Sequence, residues 1–455
     1  MRSSLFLVAL PIVVSGIRLD IPEQQPLITE HPPGTIYQVL SSNPRFSRLT
    51  KAVDFVDGVA QLLNDSSANL SFFAPPDSAL PHHKDDLAPN GLPPVFETYE
   101  TSYLPGPTDL AEALRMLDNL EKSKSATNGP DDEKRKKILK VILGAILEYH
   151  IIPTAAYDII TLGHNSTYPT NLVVPGVLDS QPQRLRVEQT IIPPRTSINL
   201  YAKIIKPNVK ASNGIIHVVD YPLLPPPSIF QGLYMAPHFF STLTSALQRS
   251  GLTEALDLRY IHHKGFEGSR LVTAFAPTNH AFEALPKKLQ LFLFSPFGEK
   301  ALKKILSYHV VPNVVVHSDY LRAEHSDKKN SPCHEPTLAT AAFPLPTEPI
   351  SSVNLTLKTL FANHTLQAEI VREKITVPFP WPGHKKPYKV HTEVSVNRQP
   401  VLVPDIVGLN GAAHVIGKIL DPRTCHHLRP VDSPVDEGVW ENWEEWLPQW
   451  VNESL

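Results

Sequence analysis

Apolar residues recur at helical spacing from Ile36 to Ala60, which predicts helices over that stretch. Phe72-Phe73-Ala74-Pro75 is a short apolar run closed by proline and reads as a strand. Asp77 is placed to cap the helix that follows, as Thr278 or Asn279 is in a similar stretch further on. Leu110, Leu114, Leu117 and Leu120 form a short helical stripe inside a polar, Pro-rich stretch of about 82–137. Residues 135–149 predict a helix that Pro153 closes. Segments 170–175, 184–192, 196–205 and 214–221 are β-rich and separated by proline or Asn-Gly turns. Helices come first and strands last, which argues for an α+β fold over an alternating doubly wound sheet.

The pattern then repeats. TIYQVLSSNPRF at 35–46 returns as SIFQGLYMAPHF at 228–239, and FAPPDSAL at 73–80 as FAPTNHAF at 275–282. ILEYHIIP at 146–153 returns as ILSYHVVP at 305–312, and NGIIHVVD at 213–220 as NGAAHVIG at 410–417. Four blocks in one order make two copies of one domain, joined at the stiff run Pro225-Pro226-Pro227. Copy one is longer between its second and third blocks, through 82–137. Copy two is longer between its third and fourth, through a stretch holding Cys333 and the Pro-rich segment 376–390. Both insertions are expected to be surface excursions.

Together the blocks resemble the fasciclin domain family over about 35–227 and 228–423. The resemblance implies two tandem domains, each a compact β-sandwich or wedge flanked by helices. It also implies a secreted or membrane-attached adhesion or matrix protein that binds proteins or glycans and does not catalyse. The departures are Pro76 where Thr is usual, Leu80 for Phe, Asn279 for Asp, and Gly417 where copy one keeps Asp220. The family's Tyr-His pair, linked to adhesion in animal members, maps to Tyr149-His150 and Tyr308-His309.

Spacing adds a second reading of that pair. Leu143, Ile146, Leu147 and His150 fall at i, i+3, i+4 and i+7, as do Leu302, Ile305, Leu306 and His309. Each histidine then shares the core-facing stripe, where a buried imidazole must be hydrogen-bonded. A core lock is the expectation, with direct ligand contact as the rival. His217 and His414, in strand-like runs, are expected to be structural too. The doublets His82-His83, His262-His263 and His426-His427, and Cys333-His334 with Cys425, are read as solvated residues, not a metal site. Adjacent residues of a strand point to opposite faces. Nucleophile-elbow, phosphate-loop, dinucleotide-glycine and zinc-protease signatures are missing from the sequence, so neither an enzyme nor a cofactor is expected.

Composition sharpens the picture. The net charge of −3 excludes the basic field of a general nucleic-acid binder. The 46 prolines predict stiff loops, and the 20 histidines would carry the formal charge from −3 to +17 if all were protonated. Arg2, the apolar run Leu5 to Val14 and Ser15-Gly16 form a signal-peptide pattern over 1–16 that is too short to span a bilayer. Sequons at Asn64, Asn69, Asn165, Asn354, Asn363 and Asn452 agree with a glycoprotein that meets extracellular or lumenal proteins or glycans. Secretion is the expected destination, with the vacuole lumen, and a role there in membrane fusion or traffic, as the alternative. In an oxidising compartment Cys333 and Cys425 would pair as one disulfide. The acidic tail 431–455 carries Trp440, Trp443, Trp446 and Trp450. It is expected to form a short helix ending before Pro448 and docked on the second domain, with a free partner-binding peptide as the rival.

Overall fold

The structure, a computed structural model, describes residues 34–80, 110–123, 130–190, 194–261, 264–323, 343–344, 350–362, 364–376, 388–422, 440 and 442–452. The signal-peptide stretch, His82-His83, His262-His263, Asn363, Cys333, Cys425 and His426-His427 lie outside those residues.

Copy one opens with helices α1 (Ile36–Ser41), α2 (Ser47–Phe55) and α3 (Asp57–Asn64), then strand β1 (Leu70–Ala74). Helices α4 (Leu110–Ser123) and α5 (Pro130–Tyr149) follow, then β2 (Ile151–Ile152), α6 (Ile159–Leu162), β3 (Thr167–Val173), β4 (Pro182–Thr190), β5 (Arg195–Ile198), β6 (Ala202–Ala211) and β7 (Gly214–Val219). Copy two has α7 (Ile229–Tyr234), α8 (Pro237–Arg249), α9 (Thr253–Leu256), the hairpin β8 (Leu258–Ile261) and β9 (Gly265–Gly268), and β10 (Val272–Pro277). Next come α10 (Asn279–Glu283), α11 (Lys287–Leu293), α12 (Glu299–Tyr308), β11 (Val310–Pro312), β12 (Val314–His317), β13 (Tyr320–Ala323) and β14 (Phe343–Pro344). The chain closes with β15 (Ile350–Lys358), β16 (Thr365–Thr376), β17 (Tyr388–Val396), β18 (Gln399–Gly408), β19 (Gly411–Ile416) and α13 (Trp443–Asn452).

Each copy builds one seven-stranded sheet. The orders, β2-β1-β7-β6-β5-β4-β3 and β11-β10-β19-β18-β17-β16-β15, are the same order repeated. Among the described residues the only parallel pairs in these sheets join β1 to β7 and β10 to β19, so the first strand of each seven-stranded sheet in chain order lies beside its last. The Asn-Gly block makes this closure possible. Asn213 accepts the Ile36 N–H at 2.8 Å and donates to the carbonyls of Leu63 and Asp65 at 3.0 and 2.8 Å. Asn410 accepts from Ile229 at 2.9 Å and donates to Leu256 and Ser269 at 3.1 and 2.9 Å. One buried amide thus satisfies three backbone groups that the ends of helices and strands leave open. A Cβ on Gly214 or Gly411 would overlap the carbonyl oxygen of Leu70 or Val272, so each Asn is followed by a residue without one.

Four local expectations need correction. The stretch 82–137 is not wholly a surface excursion: Leu110, Leu114 and Leu117 of α4 are buried in the helical core of copy one with Leu139 and Leu143 of α5. The end of the copy-two insertion is likewise sheet, because β16 and β17 pair from Ala368↔Val396 out to Thr376↔Tyr388. Asp77 does not cap the turn it begins. Its carboxylate instead reaches the start of α2, accepting the Arg48 N–H at 3.0 Å and the Ser47 hydroxyl at 2.6 Å. Asn279 has the same long reach in copy two: it accepts the Thr242 N–H at 2.9 Å and donates to the carbonyls of Pro237 and His238 at 3.1 Å each, and Thr278 alone caps α10.

The fourth correction concerns the tail. Helix α13 runs through Pro448 and does not stop before it. Leu447 and Trp450 are buried in the core of copy two, and Phe292 of α11 meets Trp443 with ring centroids 5.2 Å apart. The Lys304 ammonium donates to the Trp450 carbonyl at 3.0 Å and lies 5.2 Å from the Trp450 ring and 5.5 Å from that of Phe361. A buried cation at the C-terminal end of a helix offsets the carbonyls left open there, and burial of Leu447 before the proline and Trp450 beyond it holds the last turn in place.

Candidate functional site: the Tyr-His pairs and the seam between the copies

Helices α5 and α12 each end on a Tyr-His pair because the histidine carries the chain from helix into sheet. The backbone carbonyl of His150 accepts from Phe73 of β1 at 3.0 Å, and that of His309 accepts from Phe275 of β10 at 2.9 Å. The side chains close the other side of the junction. His150 Nε2 accepts the Leu223 N–H at 2.8 Å, so its Nδ1 carries the proton and donates to the Ile146 carbonyl at 2.7 Å. His309 repeats this with Leu420 at 2.9 Å and Ile305 at 2.8 Å. Each imidazole ties the last turn of its helix to the segment that follows the last strand of its domain.

The tyrosines are buried in the same way. Tyr149 Oη donates to the Arg184 carbonyl at 2.9 Å and accepts from Asn199 Nδ2 at 2.9 Å. Tyr308 Oη donates to Thr365 at 3.1 Å and accepts from Asn397 at 2.9 Å. His150 is 0% exposed and His309 3%. Burial drives both imidazoles down to about 4, only partly opposed by their backbone bonds, and pushes the Tyr149 hydroxyl up. The pairs therefore present no free polar group, and any ligand of the folded domain meets other residues first.

His217 and His414 sit on β7 and β19, stacked on Phe73 and Phe275 with centroids 5.7 and 5.4 Å apart. Their Nε2 atoms lie 2.9 Å from the carbonyls of Tyr157 and Val316. Among the described residues no group of three or more His, Cys, Asp or Glu side chains is arranged to hold a metal ion. Asn64, Asn69, Asn354 and Asn452 are exposed, and Asn165 is half-buried.

The sequence gives no warning of how the copies join. Strands β3 and β4 of copy one clasp copy two. Asp319 accepts from both the backbone N–H and the hydroxyl of Thr167, and Arg184 Nε donates to that hydroxyl at 2.8 Å. Gln183 Nε2 donates to the Leu409 carbonyl at 3.1 Å, Arg186 Nε to Pro404 at 3.0 Å, and Arg372 returns from copy two to His164 and Asn165 at 2.8 and 2.9 Å. Under these bonds Val177 and Leu178 pack with Leu258, Leu271, Val315 and Ala412 in one apolar cluster. Leu178, Asp179 and Ser180 all have positive φ, at 50, 52 and 58°, a strained run that the seam fixes by the bond from Leu178 N to Arg270 O.

Beside the seam, copy two buries charge where copy one does not. Asn208 and Asp405 are equivalent bulge residues at φ 60 and 62°, each accepting a backbone N–H, from Ile159 and Ser318 respectively. Asn208 is exposed and neutral, whereas Asp405 is fully buried with His317 Nδ1 3.6 Å away and the Ser318 hydroxyl donating to it. Burial alone would raise the Asp405 carboxyl. His317, His414 and Ser318 together outweigh it and hold the group below the usual carboxylate range. The same surroundings leave His414, dominated by burial, below the ordinary imidazole range. His317, Ser318 and Asp405 lie outside the repeated blocks. The signal for them is where aligned copies differ, His317 standing for Asp158 and Asp405 for Asn208.

Among the described residues no helix is long and apolar enough to cross a membrane. A protein of Gibberella zeae, aurofusarin biosynthesis cluster protein S, is 30% identical over 229 residues, half of each chain. The transforming growth factor-beta-induced protein ig-h3 of Sus scrofa is 25% identical over 50% of this chain and 23% of its own. A fasciclin-like arabinogalactan protein of Arthroderma benhamiae is 30% identical over 31% of this chain and 30% of its own. The chain thus spans half or less of the length of each. The fasciclin domain model matches residues 111–225 and 238–422, more than half of the sequence, and with the repeated sheet order this places the chain in the fasciclin domain family.

Proposed function

We propose that this chain is a non-catalytic secreted glycoprotein that mediates adhesion or scaffolding at the cell surface or in the cell wall by binding proteins or glycans. The reading rests most on one observation: the chemistry-bearing Tyr-His pairs of both domains are spent on internal hydrogen bonds. What the molecule offers a partner is outer surface and loops on two domains held in fixed relation, a geometry suited to two-point binding. Relatedness to an arabinogalactan protein and to ig-h3 supports an extracellular setting. The sequons and signal-peptide pattern agree with it.

The test is retention of cells or isolated walls on a surface coated with the purified, secreted protein. Retention above an inert glycoprotein, lost when the protein is denatured before coating, is the expected result. Retention no better than the control, or a protein found only inside the cell, overturns the proposal.

A further inference from the structure

The seam closes over a modification signal. Asn165-Ser166-Thr167 is an N-glycosylation sequon, and both residues that a transferase must engage are held by copy two. Thr167 is 1% exposed, its N–H and hydroxyl both given to Asp319 at 2.7 and 2.6 Å. Arg184 occupies the hydroxyl from the other side and reaches the Thr167 carbonyl at 3.2 Å. Asn165 Oδ1 accepts from Arg372 at 2.9 Å.

We propose that Asn165 is a conditional glycosylation site, open on the growing chain and shut when the second domain docks. The inference rests on the secretory reading above. Asp319 lies 152 residues after Thr167, and Arg372 lies 207 after Asn165. At about 5–20 residues per second the sequon is therefore free of its Asp319 cover for roughly 8–30 s. Occupancy is set by whether the transferase acts in that window. A chain modified in time can still close, because Arg372 engages the side-chain oxygen and the glycan attaches to the nitrogen. Asn354 is the internal control: it is an exposed residue of β15, and its Thr356 is exposed as well.

Site-by-site glycopeptide mass spectrometry of the full secreted chain tests this. In wild type, Asn165 should be partly occupied and below Asn354. Asp319→Ala should bring it towards the Asn354 level, and Arg372→Gln should do so without touching the Thr167 bonds. A measurement on folded wild type guards against variants that misfold: an N-glycan amidase without denaturant should release the Asn354 glycan several-fold faster than the Asn165 glycan. Equal occupancy at both sites in wild type, occupancy at Asn165 that neither variant changes, or equal release rates would overturn the proposal while leaving secretion intact. Absence of glycan at every sequon would overturn the secretory reading and this inference together.

Discussion

Asp319 takes the backbone N–H and the hydroxyl of Thr167 on its two carboxylate oxygens, 152 residues away in the chain, and so latches one domain to the other. With side-chain exposure of only 4%, the carboxylate works with little solvent screening. Asp319→Ala should cost about 2–4 kcal/mol at the seam, by leaving two buried donors unmet. Calorimetry should show one cooperative transition in wild type splitting into two in the variant. A single, unshifted transition would mean the latch carries little.

His150→Ala and His309→Ala should destabilise the domain that holds them. Each removes two buried hydrogen bonds and leaves a cavity, at roughly 2–4 kcal/mol. Denaturant midpoints read this directly. If both variants unfold like wild type and adhesion is lost, the pairs act by contact after all.

Stability should fall with acid from the histidine range downward. His150, His217 and His309 are held neutral, down to about 4, chiefly by burial. The unfolded chain takes up these protons near 6.5, so it binds more protons than the native state between about pH 6.5 and 4, and stability declines across that window. Asp405, held below its ordinary range, adds its own loss only as pH drops below the unfolded carboxylate value near 4. Melting temperature measured from pH 7 to pH 4 should drop steadily. A flat profile would contradict the buried neutral histidines.

The fifth residue of the FAPPDSAL and FAPTNHAF blocks, Asp77 and Asn279, is not interchangeable between copies. Asp77 only accepts, whereas Asn279 accepts one N–H and donates to two carbonyls. Asn279→Asp would set a carboxylate against the oxygens of Pro237 and His238 at a partly solvated site and should cost about 1–2 kcal/mol. Asp77→Asn keeps an acceptor for Arg48 and should cost about 1 kcal/mol or less. Comparable losses from the two swaps, in chemical denaturation, would refute the assignment.

Truncation after Pro430 should leave a folded protein that melts lower and binds an apolar dye. Lys304→Met should mimic part of the loss by freeing the end of α13. Tryptophan emission of the full chain should be blue-shifted and poorly quenched by iodide. Red, fully quenched emission with an unchanged melting point after truncation would mark the tail as a free peptide.

Much of this is legible in the sequence because local rules and tertiary packing agree there. The stripe Leu143, Ile146, Leu147, His150 is buried as its spacing implies. The reading fails where a polar side chain looks past its own turn, as Asp77 does to α2, and where an inserted helix finds core to cover, as Leu110 and Leu114 do. Pro448 breaks the rule for helix ends because Leu447 and Trp450 are anchored on both sides of it. The seam leaves no periodic trace at all: Thr167, Arg184 and Arg372 are ordinary strand residues until the second sheet arrives.

The Asp405–Asn208 difference gives the tandem a direction. Copy one contributes β3 and β4 to the join, and copy two contributes Asp319, Arg372 and the carbonyls of Pro404 and Leu409, so the two domains meet through different faces. Exchanging the order of the two domains would set the bulge that carries neutral Asn208 where the bulge of Pro404 and Asp405 now meets Arg186 of β4. The chain is therefore a vector and not a pair of equivalent beads: the Thr167–Asp319 latch takes one partner from the leading copy and the other from the trailing copy.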